Sequence, residues 1–129
     1  MLFDCFADNP PAIGPAGTVN CTLADYARYA AMHLLGERTG TVFLRKEGFR
    51  KLHTPPEGGE YAMGWISARR DWAHGTVLNH AGSNTMFYFV VWLAPARDAV
   101  FIAATNCGGD TAAKATDDAI GALIGRVLK

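Results

Sequence analysis

The segment Met86–Thr105, MFYFVVWLAPARDAVFIAAT, decides the fold. Residues 86–94 (MFYFVVWLA) and 99–105 (AVFIAAT) are rich in aromatic and β-branched side chains, and Pro95-Ala96-Arg97-Asp98 between them reads as a hairpin turn. Neither run alternates apolar with polar residues. Such strands are buried on both faces, so their sheet needs two covering layers.

Toward the C-terminus, Gly108-Gly109-Asp110 leads into a helix with Ala112, Ala115, Ala119, Leu123 and Val127 on one stripe, widened by Ile120, Ile124 and Leu128. Toward the N-terminus, 61–68 (YAMGWISA) is strand material, and 76–80 is a further strand after a turn at 73–75. A short helix over 44–52 is stopped by Pro55-Pro56, and Gly58-Gly59 marks a loop. An earlier helix is capped by Thr22, with Asp25 in its first turn, and ends at Gly36. Residues 1–20 read as irregular entry chain. The fold class predicted is α+β: an antiparallel sheet of about three to four strands, a C-terminal helix packed on one face, and a helical N-terminal segment. The helix over 22–36 can cover the other face, but its stripe is narrow and alanine-containing. The chain looks short of apolar cover, which predicts a large exposed patch or a self-association surface.

Composition narrows the class. The 129 residues fit a single domain, 1–129, large enough for a core. Half the residues are apolar, and 12 basic side chains balance 12 acidic ones, so neither a nucleic-acid footprint nor an acidic-membrane clamp is expected. Three widely spaced cysteines, Cys5, Cys21 and Cys107, make no disulfide framework and read as small buried hydrophobes. The N-terminal sequence shows no signal-peptide pattern, and no apolar run has membrane-spanning length. His33, His53, His74 and His80 are dispersed without ligand spacing, so no metal is expected. No phosphate-binding glycine pattern appears, and no cofactor is expected. The two serines, Ser67 and Ser83, lie in neither a Gly-x-Ser-x-Gly elbow nor a Ser-x-x-Lys motif.

His80-Ala81-Gly82-Ser83, ending one strand before the long apolar one, joins other segments in a recognisable order. These are Gly14-Pro15-Ala16-Gly17-Thr18-Val19 before the first helix, Tyr61-Ala62-Met63-Gly64-Trp65, and Ala104-Thr105-Asn106. In that order they resemble the C-terminal part of the serine β-lactamase-related family, which includes class C β-lactamases, DD-peptidases and family VIII-type esterases. The resemblance runs from about Gly14 onward and implies a fragment of the β-lactamase/transpeptidase-like fold. It matches His80, Ala81 and Gly82 to the family's third element, Lys-Thr-Gly or His-x-Gly. His80 is then a polar group beside the acyl site, Ala81 and Gly82 contact substrate, and Ser83 is a backbone oxyanion donor.

The family's nucleophile in Ser-x-x-Lys and its Tyr-x-Asn or Tyr-x-Ser element are absent from this sequence. The resemblance therefore implies a chain inactive alone, whose partner is the missing N-terminal half or a second copy. Its substrate, once completed, is a small acyl compound. Ala81 lacks the hydroxyl of Lys-Thr-Gly, which tilts the parent activity from β-lactam or D-Ala-D-Ala recognition toward an esterase or a broader peptidase. The alternative is a non-catalytic binding or self-associating module derived from that fold. Relatives are often periplasmic or secreted and sometimes cytoplasmic, so the resemblance assigns no location.

Overall fold

The computed structural model describes residues 10–83 and 86–128. Cys5 lies outside them. After a 3-10 turn at Pro11–Ile13 come helix α1 (Gly14–Gly17), helix α2 (Leu23–Thr39) and helix α3 (Lys46–His53). Strands β1 (Ile66–Arg70), β2 (Gly75–Ser83), β3 (Tyr88–Ala94) and β4 (Ala99–Thr105) follow, then helix α4 (Asp110–Val127). The strands form one antiparallel sheet in the order β1-β2-β3-β4. The α+β architecture is the one the sequence predicts.

The β3–β4 hairpin is in continuous register from Tyr88 opposite Thr105 to Ala94 opposite Ala99. Its turn is a 3-10 segment, Pro95–Arg97, closed by Asp98 in the left-handed region at φ 50°. Both faces of β3 are covered. Val91 and Leu93 pack with Ala30 and Leu34 of α2, Trp65 and Leu78. On the opposite face, Val90 and Phe101 pack with Ile120 of α4, flanked by Ile124 and Leu128. The shortage of cover expected from α2 is not met at the centre of the sheet, where Val91 and Leu93 are fully buried in one cluster with Ala30 and Leu34.

Several boundaries move, each for a physical reason. The GPAG segment, expected to be irregular, forms the single helical turn α1, with Pro15 at its second position presetting φ. Strand β1 does not begin at Tyr61: 61 and 66 form an isolated bridge around a tight turn in which Gly64 takes φ 89°. Strand β2 is longer than expected and carries on through Ser83.

On α4 the buried line is Ala112, Thr116 and Ile120, whereas the expected stripe members Leu123 and Val127 are exposed. Thr116 can be buried because its hydroxyl donates back to the carbonyls of Ala112 and Ala113, both at 2.9 Å.

Helix α2 starts as predicted. The Thr22 hydroxyl accepts from the Asp25 amide at 3.1 Å and donates to the Asp25 carboxylate at 2.7 Å. It does not stop at Gly36. That glycine is buried inside the helix, and Gly40, at φ 67°, is the cap. The reason for Gly36 is packing, because an added Cβ would stand 2.5 Å from the ring of Phe49 on α3. A mid-helix glycine normally costs about 0.5–1 kcal/mol relative to alanine, so an ordinary site would gain stability from Gly36→Ala. Here the substitution is expected to cost about 1–3 kcal/mol through overpacking. Urea unfolding should show a lower midpoint for Gly36→Ala, largely recovered when Phe49→Leu is added.

Candidate functional site

The candidate site lies where β2 outruns β1. The last paired residue of β1 is Ile66, opposite Asn79, while β2 stays paired with β3 as far as Ser83 opposite Tyr88. Among the described residues, no strand runs along the outer edge of His80–Ser83.

Hydrogen bonds around the Tyr61–Ile66 bridge fix which backbone groups face that edge. The Ser67 amide donates to the Glu60 carbonyl at 2.7 Å, and the Ala62 amide to the Trp65 carbonyl at 2.7 Å. Trp65 and Ser67 thus turn these groups away from β2, and Ile66 turns its own toward Asn79. In an antiparallel ladder the direction alternates residue by residue, and both registers are unbroken. The backbone N–H groups of Ala81 and Ser83 therefore point to the edge that β1 has vacated, while those of His80 and Gly82 point to β3.

Side chains alternate the other way, by face. His80 is half-buried on the α2 face and lines a cleft of roughly 620 Å³ with Tyr26, Tyr29, Met63, Trp65 and Cys21. Ala81 sits on the α4 face, beside a smaller cavity of about 420 Å³ lined by Asn79, Trp92 and Lys114. The residues matched by resemblance are thus brought to one strand end but divided between two faces. Gly82 is exposed, and nothing lies within 4 Å of where a Cβ would stand. The Ser83 hydroxyl is engaged, donating to the Phe87 carbonyl at 2.7 Å. Cys21 and Cys107 are both free and exposed, contrary to the expectation that they are buried. Each belongs to a loop, at the entry to α2 and just before α4, outside the packed layers.

The cleft wall contains residues that the sequence did not flag as functional. Tyr26 meets Phe89 edge-on, with ring centroids 4.4 Å apart, and Tyr29 lies 5.5 Å from Tyr26. Burial, reinforced by Tyr29 and Cys21, pushes the Tyr26 hydroxyl up to about 12, and burial also raises that of Tyr29. Along the sequence Tyr26 belongs to the helical repeat Leu23, Tyr26, Ala27, Ala30 and Leu34 and carries no motif. Among the described residues lining the cleft, Asp25 is the one carboxylate and is paired with Arg28 at 2.5 Å, and none is Lys or Arg. Among the described residues no group of three His, Cys, Asp or Glu side chains could hold a metal ion, and no helix is long and apolar enough to cross a membrane.

A raised phenol pKa has a stability consequence with a definite sign. The folded state holds the Tyr26 proton more tightly than the unfolded chain, so this contribution is present below pH 10 and fades as pH rises toward 12. The urea midpoint is expected to fall across that window, and Tyr26→Phe should flatten the fall.

Comparison with known proteins adds one finding. Neither the curated proteins nor the solved structures returned a match. A family model described as Beta-lactamase matches residues 3–126, nearly the whole chain. With the four-strand sheet and the C-terminal helix consistent with that match, the chain belongs to the β-lactamase family.

Proposed function

We propose that this chain forms the oxyanion wall of a serine acyl hydrolase and acts with a segment bearing Ser-x-x-Lys. The observation that carries the reading is the edge of β2, where the Ala81 and Ser83 N–H groups face outward next to His80.

When a serine attacks an acyl carbonyl, the carbonyl π electrons move onto oxygen and a tetrahedral oxyanion forms. The Ser83 N–H donates to that oxygen, a contact worth roughly 3–4 kcal/mol by analogy with other oxyanion donors. A basic group of the Ser-x-x-Lys segment takes the serine proton and delivers it to the leaving group, so collapse of the intermediate expels a neutral alcohol or amine and leaves an acyl-enzyme, which water then hydrolyses. Gly82 leaves the strand backbone open to a flat acyl group. His80 offers a polar group on the cleft side. The Ser83 side chain is not assigned as the nucleophile, because its hydroxyl donates to a backbone carbonyl that cannot take its proton and Met86, not a lysine, follows three residues on. Among the described residues no Lys or Arg lines the cleft to meet a substrate carboxylate, which favours neutral esters over carboxylate-bearing β-lactams.

The test is complementation. The chain alone is expected to hydrolyse neither nitrocefin nor p-nitrophenyl esters. Combined with a family segment carrying Ser-x-x-Lys, it should hydrolyse the esters. In the combined enzyme Ser83→Pro removes the N–H and should lower kcat by about 10²–10³-fold, while Ser83→Ala keeps it and stays within a few-fold. Equal losses for the two variants would move the role from backbone to side chain. Turnover by the isolated chain that survives both His80→Ala and Ser83→Pro would overturn the assignment.

A further inference from the structure

Away from the β2 edge, α2 and α3 meet through three polar side chains in a row. His33 and His53 are both buried, and His33 Nδ1 lies 2.8 Å from His53 Nε2. On its other side, His53 Nδ1 lies 2.5 Å from Glu37 Oε1. An N–H must donate to a carboxylate, so His53 presents Nδ1–H to Glu37. Only one hydrogen fits between the facing ring nitrogens of His33 and His53.

The rings around this row belong to the cleft as well as to the core. His33 lies 4.6 Å from Tyr29 and 5.2 Å from Trp65, while His53 meets Trp65 edge-on at 6.0 Å. Phe49 closes the far side, 5.4 Å from His33 and 6.2 Å from His53. The Met63 amide donates to the Leu52 carbonyl at 3.2 Å, which ties the end of α3 to the turn carrying Trp65. Tyr29, Met63 and Trp65 all line the cleft next to His80.

We propose that Glu37, His53 and His33 form a proton-gated latch that holds the Trp65 wall of the cleft closed and releases it in acid.

Charge bookkeeping explains the gate. The first added proton is matched by the Glu37 carboxylate, and the hydrogen between the histidines survives with donor and acceptor exchanged. A second proton leaves two N–H groups pointing at each other and an unmatched positive charge in a buried site. Among the described residues, the titratable groups in contact with either ring are Tyr29, Glu37 and the other histidine; Phe49 and Trp65 carry no charge. Nothing else there can absorb the second charge.

Burial, with the neighbouring His53 second, pushes His33 down to about 4. A depressed folded-state pKa means the unfolded chain takes up the proton first. The stability from neutral His33 is therefore complete above pH 6.5 and lost as pH falls toward about 4.

The function of the wall rests on the hydrolase reading above, but the latch is measured without substrate, so either can fail alone. In labelled protein titrated from pH 8 to 3.5, the imidazole resonances of His33 and the indole N–H of Trp65 are expected to shift together near pH 4. His33→Phe keeps a ring in place and should abolish the Trp65 shift. Glu37→Gln, at a partly exposed position, should move the transition upward by about one pH unit, because the closed row then lodges neither proton well. A Trp65 resonance that stays fixed while His33 titrates, or an unchanged transition in Glu37→Gln, would overturn the latch.

Discussion

Burial of β3 on both faces is the constraint from which the rest of the molecule follows. Val91 and Leu93 look toward α2, and Val90 looks toward α4; all three are buried. A strand with apolar side chains on both faces is stable only inside a sandwich. Because α4 follows β4 directly, it takes one face, which leaves the other to the helix that precedes the sheet. Helix α2 therefore lies over β3 and β4, and its first turns bring Tyr26 and Tyr29 to the cleft that His80 lines. The arrangement of the cleft is thus a consequence of how the hairpin is buried.

Placing α2 there creates a second requirement, because its far side must be covered by α3. The two helices approach so closely that Gly36 has no room for a side chain beside Phe49. Next to that contact lie two buried histidines, which would each be costly without partners. They satisfy one another, and Glu37 satisfies the second from a position that still reaches solvent. Apolar packing sets the spacing of the helices, and the polar row spans the gap that this spacing leaves.

These relations divide into those that sequence patterns carry and those that they do not. The hairpin, the Thr22 cap and the C-terminal helix are legible because each depends on neighbours within a few residues. Gly36 misleads because a glycine that ends a helix and one that admits a ring from another helix look alike along the chain. Thr116 misleads because its bonds to Ala112 and Ala113 hide its polarity, which rotates the buried line of α4 away from Leu123 and Val127. The segment 80–83 is legible as a motif, but its division between two faces follows from strand alternation and needs the register. The pairing of His33 with His53 spans 20 residues between two helices and has no spacing signature, so only the packing of α2 on α3 exposes it.

Among the described residues the edge at His80–Ser83 is open, and in the proposed oxyanion role this brings chemistry and stability into opposition. Unpaired strand edges attract other strands, and proteins usually cover them, charge them or keep them short. This one is short: β1 pairs β2 as far as Asn79, and the hydrogen bond from Ser83 to Phe87 ties the strand end to the chain that follows. No Lys, Arg, Asp or Glu protects residues 80–83, and a glycine sits among them. An oxyanion donor requires just this, since a charged or bulky side chain would keep an acyl group from the backbone. The turn at Glu60–Trp65 ends β1's reach and also delivers Trp65 to the cleft. One local feature of the chain therefore both opens the edge and builds the wall next to it.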